Sequence, residues 1–93
     1  MKTGIELISE EREKQILKHG FTGQHHALHP ELYAENQLIE ASVKIGAPVP
    51  YNQAPKGWDV KWFANLCERP YKERLVIAGA LIAAELDRRN SDN

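Results

Sequence analysis

The sequence is short of cysteine and of long apolar runs. Its one cysteine, Cys67, cannot form a disulfide within the chain, which favours a reducing compartment. The longest apolar run, LVIAGALIAA over residues 75–84, is too short to span a bilayer. The N-terminal stretch MKTGIELISEERE turns acidic before a signal peptide could build its apolar core. These absences predict a cytosolic protein with no membrane partner.

An excess of charge of one sign is also lacking. The chain carries 12 basic and 13 acidic side chains, mixed along its length, for a formal net charge of −1. Nucleic-acid binding through a basic face requires clustered lysine and arginine, so the composition argues against that class of function. No stretch alternates apolar and polar residues for long enough to predict a half-buried strand. With 93 residues, the chain is expected to form a single all-α domain over residues 1–93.

Capping and helix-breaking residues divide the chain into four predicted helices. Thr3 and Glu6 have the spacing of a capping box, which starts the first helix near Gly4, and Gly20 ends it. Pro30 suits the first turn of the second helix. The predicted segments after the first helix are a loop over 20–30, a helix over about 31–45, a proline-rich connection over 47–57, a helix from the cap Asp59 to about Cys67, and a helix from Pro70 to about Arg89.

The fourth predicted helix is apolar around its whole circumference between Leu75 and Ala84. A helix with this pattern is surrounded by protein, so we predict that it is the central helix of the fold. The other three helices are too short to cover it completely, and its small residues allow a close helix–helix approach. We therefore also expect residues 75–84 to form the interface of a homo-oligomer.

Charged residues interrupt the apolar faces of the first two helices. Arg12 lies in a stripe of isoleucines that begins at Ile5, and Glu35 lies between the apolar groups of the second helix. A buried arginine needs a carboxylate or an anionic ligand, unless its long side chain carries the charge to the edge of the core. We predict a polar seam in which Glu35 pairs with Arg12, beside Gln15 and His19.

All four histidines fall within HGFTGQHHALHPE, residues 19–31. His25, His26 and His29 form an HHxxH cluster, and three imidazoles can hold zinc together with a water. No cysteine or paired carboxylate lies nearby at ligand spacing, so we predict no bound metal. We interpret the stretch as one wall of a polar pocket, in which the Gly-Phe-Thr-Gly segment can offer backbone N–H groups to an anion.

Aromatic residues gather around the third predicted helix, at Trp58, Trp62, Phe63 and Tyr71. Most of them are expected in the core, while one exposed ring could stack on a flat ligand. Nucleophilic catalysis by Cys67 is disfavoured, because a thiol on the apolar side of this helix is inert.

An all-α nucleotide pyrophosphohydrolase is one enzymatic alternative. Such enzymes hold Mg²⁺ with acidic clusters on neighbouring helices, because hard cations prefer carboxylate oxygens. Glu10 and Glu13 have the ExxE spacing but face outward with the other charges of the first helix. Glu85 and Asp87 are separated by only one residue, so the second cluster is missing.

Five segments of the chain carry a resemblance to known proteins: GIELISEEREKQILKHGFT, the histidine-containing loop, QLIEAS, GWDVKWF and RPYKERLVIAGALIAAELDR. Together they resemble a widespread group of short phage and prophage proteins of unassigned function. Members of the group usually read His-Asp where this sequence has His25-His26, and glutamate in place of Gln24, so the loop here lacks two acids. The resemblance covers nearly the whole chain and implies a phage origin and an accessory role against host defence.

The favoured hypothesis is a homo-oligomeric protein of the host-cell cytosol that binds a phosphate-containing small molecule, such as a nucleotide immune signal, without turnover. Arginine supplies bidentate phosphate contacts, and histidine and glutamine supply directional hydrogen bonds. The alternatives are a protein inhibitor of a host factor and the Mg²⁺-dependent hydrolase. No cofactor is expected. The predicted ligand-binding residues are Arg12, Gln15, His19, His25, Glu35 and Arg74.

Overall fold

The structure, a computed structural model, describes residues 1–20 and 22–91, except for the side chains of His19 and Ser91. Within this part of the chain the regular structure is entirely helical, which confirms the all-α prediction. The helical segments are α1 (Gly4–His19), α2 (Gly23–Leu28), α3 (Pro30–Tyr33), α4 (Gln37–Gly46), α5 (Val60–Cys67) and α6 (Tyr71–Ser91).

Local capping chemistry sets the two ends of α1. The Glu6 backbone N–H donates to Thr3 Oγ1 at 3.2 Å, and the Thr3 N–H donates to Glu6 Oε1 at 3.0 Å. This reciprocal capping box satisfies two N–H groups that a helix start otherwise leaves unpaired. Gly20 ends the helix with φ of 66°, a left-handed conformation that glycine adopts without steric cost. The predicted bounds of α1 are confirmed.

The predicted loop over residues 20–30 is wrong, because it contains α2. Thr22 caps this short helix, its Oγ1 accepting the backbone N–H of His25 at 3.0 Å. The helix turns His26 into the interior, where the side chain is 1% exposed. Packing against α6 stabilises a segment that would be too short to persist alone.

The second predicted helix is also wrong in its bounds, because the chain breaks it at Asn36. Asn36 has φ of 66°, a left-handed conformation that asparagine tolerates better than most residues. The buried Gln37 side chain bridges the break: its Oε1 accepts the Glu35 N–H at 2.7 Å and its Nε2 donates to the Glu31 carbonyl at 3.3 Å. α3 and α4 replace the one helix, so the predicted count of four helices becomes six segments in the described chain.

The bounds of α5 and α6 agree with the prediction. Asp59 Oδ1 accepts the Trp62 N–H at 2.7 Å and caps α5, which runs to Cys67. α6 follows Pro70, whose carbonyl accepts the Arg74 N–H at 3.0 Å. Within the described residues, no helix has the combined length and apolarity needed to cross a membrane.

The central position predicted for the C-terminal helix is confirmed, since α6 packs against α1, α2 and α4. Gly79 lies under Ile8 of α1, and a Cβ at this glycine would approach Ile8 Cδ1 to 2.5 Å. α1 therefore lies close to α6 at this point. Ile5, predicted in the same apolar stripe, is 83% exposed instead. The core side chains are Tyr33, Leu38, Ala41, Ile45, Phe63, Cys67, Ile77, Leu81 and Ala84.

One face of α6 stays uncovered by the rest of the domain. Leu75, Ile82 and Leu86 are each between 46% and 59% exposed. The first two lie two turns apart and the third follows one turn later, so they form one stripe along the helix.

Candidate functional site

A cavity of about 710 Å³ lies between α1, α5 and α6 and also touches α2, α3 and α4. This volume falls within the range of about 300–1,000 Å³ typical of small-molecule sites. Its innermost walls are apolar and buried, formed by Leu38, Ile77 and Leu81. Exposed charged side chains lie at its edge, among them Lys14 of α1 and Arg69 just before α6. The cavity thus combines an apolar interior with a charged rim.

Aromatic rings form one wall of the cavity. The Trp58 and Trp62 rings lie 5.9 Å apart between centroids, and Tyr33 meets Trp58 edge to face at 6.0 Å. The Trp58 indole N–H donates to the Leu32 carbonyl at 2.7 Å, which fixes the orientation of the ring. The Asp59 cap fixes the first turn of α5 and with it the position of Trp62, whose side chain is 38% exposed. The wall offers a flat ligand one anchored ring and one accessible ring.

Gln15 places a carboxamide in the wall of the cavity that α1 forms. The residue is 7% exposed, and its Oε1 has no hydrogen-bond partner among the described residues. Leaving a buried polar atom unpaired costs about 1–3 kcal/mol. Rotation of the carboxamide can present either an acceptor or two donors. Gln15 therefore marks a point of the cavity where a polar group of a ligand would be stabilised.

His26 is a second buried polar side chain in the cavity wall. Its ring meets Tyr33 edge to face with the centroids 4.3 Å apart. Burial lowers the pKa of the His26 imidazole to about 4, and the positive charges of Arg12 and Arg88 act in the same direction. The ring is neutral at physiological pH, so one nitrogen donates a hydrogen bond and the other accepts one.

Arg12 pairs with Asp87 of α6, and the predicted pairing with Glu35 is wrong. Arg12 Nε donates to Asp87 Oδ2 at 2.9 Å, and Nη2 lies 2.8 Å from the same oxygen. Glu35 lies in the turn made by the Asn36 break, where it is exposed and its Oε2 is 3.7 Å from Lys56 Nζ. The break turns Glu35 away from the core, and neither Arg12 nor Glu35 lines the cavity.

A second buried ion pair lies in the same part of α6. The Glu85 carboxylate accepts two hydrogen bonds from Arg88, at 3.0 Å and 2.8 Å, and one from Arg89 at 2.7 Å. These contacts, the Arg88 bond foremost, lower the pKa of the Glu85 carboxyl. Arg12, Glu85 and Arg88 are all less than 9% exposed. The partners Glu85, Arg88 and Arg89 lie within four residues of each other on α6, so they pair within the helix, and the low exposure of Glu85 and Arg88 distinguishes this pair from an ordinary surface pair.

Arg74 is held by main-chain carbonyls away from the cavity. Its Nη1 donates to Ile45 at 3.1 Å and to Ala47 at 2.6 Å, its Nη2 donates to Pro48 at 3.4 Å, and its Nε donates to Arg69 at 2.9 Å. The buried guanidinium therefore ties the end of α4 to the start of α6. Its donors are already engaged with carbonyls, and it does not take the ligand-binding role predicted for it.

Of the five predicted ligand-binding residues whose side chains the structure describes, one lines the cavity. Gln15 lines it, whereas His25 packs its ring against His29 at 4.5 Å and does not. The side chain of His19 lies outside the described part of the chain. The sequence did not predict that Trp58 and Trp62 would line one cavity together with Lys14 and Arg69. The suggestion that one exposed aromatic ring stacks on a ligand nevertheless pointed to the correct helix.

The described residues form no second candidate site, either for nucleophilic catalysis or for a metal ion. Cys67, predicted to be inert, is buried and lies outside the cavity lining; its Sγ donates to the Tyr51 carbonyl at 3.5 Å, and burial raises the pKa of the thiol. Among the side chains that the structure describes, no three of histidine, cysteine or acidic type converge as metal ligands. No protein-family model, curated protein or solved structure matches the chain at a significant level.

The lowered pKa of His26 predicts a pH-dependent stability. Between pH 6.5 and about 4 the unfolded chain protonates this imidazole and the folded chain does not, so the free energy of unfolding falls as the pH is lowered through this window. The loss due to His26 is about 3 kcal/mol across the full window. Urea unfolding of the wild type and His26→Gln at pH 7, 6 and 5 measures it, and the variant should show a much flatter profile.

His29→Gln is the comparison variant, because the His29 side chain is 43% exposed whereas that of His26 is buried, so the larger change in the pH profile should come from His26→Gln. An NMR titration that gives His26 a pKa near 6.5, or a His26→Gln variant with the wild-type slope, would contradict the burial of a neutral imidazole.

Proposed function

We propose that this protein binds, without turning it over, a phosphate-containing small molecule with a flat ring, of which nucleotides are the leading class. The observation that carries this proposal is the buried Gln15 Oε1, which has no protein partner among the described residues and belongs to a residue lining an aromatic-walled cavity. A ligand that hydrogen-bonds this carboxamide would remove the cost of the unpaired atom.

The ring of the ligand fits the aromatic side of the cavity. Trp62 is partly exposed and Trp58 is anchored, so a nucleobase can lie against one ring with its edge directed inward. Stacking of a base on an aromatic side chain contributes about 1–3 kcal/mol. Base edges carry both N–H and C=O groups, which match the Gln15 carboxamide and a neutral His26. The interior therefore supplies both shape and hydrogen bonds.

The phosphate of the ligand fits the charged rim. Lys14 and Arg69 both line the cavity and are both exposed. Lysine binds phosphate as a point charge, and arginine binds it through a planar fork of donors. Arg69 Nη1 already lies 3.4 Å from Glu73 Oε2, a surface pair that a phosphate could displace at little cost. In this proposal Lys14 and Arg69 bind the phosphate, which is the role that the sequence predicted for Arg12 and Arg74.

In the phage setting that the sequence resemblance implies, the proposed role is sequestration of a nucleotide signal of host defence. Stoichiometric binding lowers the free concentration of a signal without a reaction. The proposal requires the ligand to be recovered chemically unchanged.

We also propose that the exposed stripe of α6 pairs with a second copy of the chain. Leu75, Ile82 and Leu86 form a continuous apolar face on the helix at the centre of the domain. Two copies of such a stripe are complementary in chemistry about a twofold axis, which is the commonest symmetry of soluble oligomers.

Binding is tested first by thermal denaturation against a panel of nucleosides and nucleotides of the four common bases. A bound ligand should raise the melting temperature by about 3 °C or more at saturating concentration. Gln15→Met should weaken binding about tenfold, because one hydrogen bond to the ligand is lost. The same variant should melt no lower than the wild type without ligand, since methionine removes an unpaired buried polar group.

Gln24→Met is the matched control, because Gln24 is exposed on α2 and lies outside the cavity lining. Chromatography of the incubated nucleotides should return them unchanged. A panel without any stabilising compound, or a Gln15→Met variant that binds as tightly as the wild type, would overturn the proposed site.

The pairing of α6 is tested by light scattering on Ile82→Glu. The wild type should have about twice the mass of one chain, and a charge in the stripe should return it to one chain, because two buried carboxylates would face each other without partners. Leu17→Glu, which changes an equally apolar and 75% exposed residue of α1, is the control and should keep the wild-type mass. A wild type with the mass of one chain at high concentration would contradict the pairing.

A further inference from the structure

The cavity continues into a second depression that runs between α1 and α6. This groove has a volume of about 410 Å³. Four residues line both spaces, namely Glu11, Lys14, Arg69 and Ile77. The edge of the cavity that Lys14 and Arg69 form is therefore also the junction of the two spaces. A ligand that occupies the cavity can extend past these side chains along the groove.

The groove holds two lysines that form no ion pair among the described residues. Three acidic residues also line it: Glu10 and Glu73 are paired with Lys2 and Arg69, at 2.5 Å and 3.4 Å, and Glu11 lies at the junction of the two spaces. No salt bridge or side-chain hydrogen bond engages Lys14 or Lys72 among the described residues. Lys14 lines both the cavity and the groove, whereas Lys72 lines the groove but not the cavity. The two ammonium groups are available to an anion that spans both spaces.

The walls of the groove differ from those of the cavity. Its apolar residues are the aliphatic Leu7, Val76 and Ile77, and no aromatic ring of the described residues lines it. A second base would find no stacking partner there, whereas a chain of phosphates needs only cations and a narrow channel. The cavity therefore suits a flat ring, whereas the groove suits an extended anion.

We propose that the ligand class is a nucleoside carrying a chain of two or more phosphates. This inference rests on the proposed function and specifies its ligand further. The base lies against Trp58 and Trp62, and the first phosphate lies at the junction near Lys14 and Arg69. The outer phosphates follow the groove to Lys72. The buried Gln15 carboxamide fixes the base end, and the charges of the groove select the length of the phosphate chain.

Isothermal titration with the nucleoside, monophosphate, diphosphate and triphosphate of each base tests this inference. The dissociation constant should fall about tenfold or more from the monophosphate to the triphosphate, and this gain should shrink at high salt. Lys72→Gln should weaken triphosphate binding about fivefold and leave monophosphate binding unchanged, because the outer phosphates alone reach this side chain.

Lys61→Gln is the matched control, since Lys61 is exposed on α5 and lines neither space. Circular dichroism melting should show that both lysine variants keep the wild-type stability, as expected for exposed side chains.

The titrations distinguish a failure of the polyphosphate inference from a failure of the proposed nucleotide binding. Equal affinity for monophosphate and triphosphate, with no effect of Lys72→Gln, would overturn the polyphosphate inference and leave the nucleotide site in place. Tighter binding of a dinucleotide than of the triphosphate would also overturn it, because a second base would then occupy the groove. Failure of every compound in the series to bind would overturn the inference together with the proposed function.

Discussion

The attachment of α1 to α6 determines the shape of the rest of the molecule. Ile8 packs on Gly79, where no side chain keeps the helices apart, and Arg12 closes an ion pair with Asp87 two turns of α6 further on. These contacts fix both the position and the rotation of α1. Gln15 follows Arg12 by three residues and so lies on a neighbouring part of the same helix surface. The ion pair thereby holds the carboxamide in the cavity wall, which makes Arg12 a positioning residue.

Buried charges are weak evidence for stability but strong determinants of arrangement. Removing two charges from water offsets much of their attraction, so the Arg12–Asp87 and Glu85–Arg88 pairs need not add much to the free energy of folding. Each arginine nevertheless has few alternative partners once it is buried. His26 lies beside these cations, and its burial as a neutral ring avoids a further positive charge there. The Arg12–Asp87 pair specifies how α1 meets α6, and neither ion pair lines the cavity.

The sequence predicted those parts of the fold that depend on neighbouring residues. The capping box at Thr3 and Glu6, the Asp59 cap and the apolar α6 all follow from short-range patterns, and the structure has them at the expected positions. The break at Asn36 was missed because asparagine is also found within helices. The break depends on the side chain of Gln37, which stabilises the turn by accepting the Glu35 N–H. The partner of Arg12 was missed because it lies 75 residues away, a distance at which helix periodicity carries no information. Among the site residues, Gln15 was predicted from its place beside the apolar stripe. The tryptophan wall could be seen only after α1, α5 and α6 had been placed around one cavity.

The central claim is that a nucleotide occupies the cavity and is held through Gln15. Mass spectrometry of the small molecules released when the purified protein is denatured tests this claim most directly, with wild type and Gln15→Met isolated side by side from cells that produce them. The account predicts an intact nucleotide released from the wild type and a clearly smaller amount from the variant. A wild type that releases no nucleotide, or equal amounts released from both proteins, would contradict it.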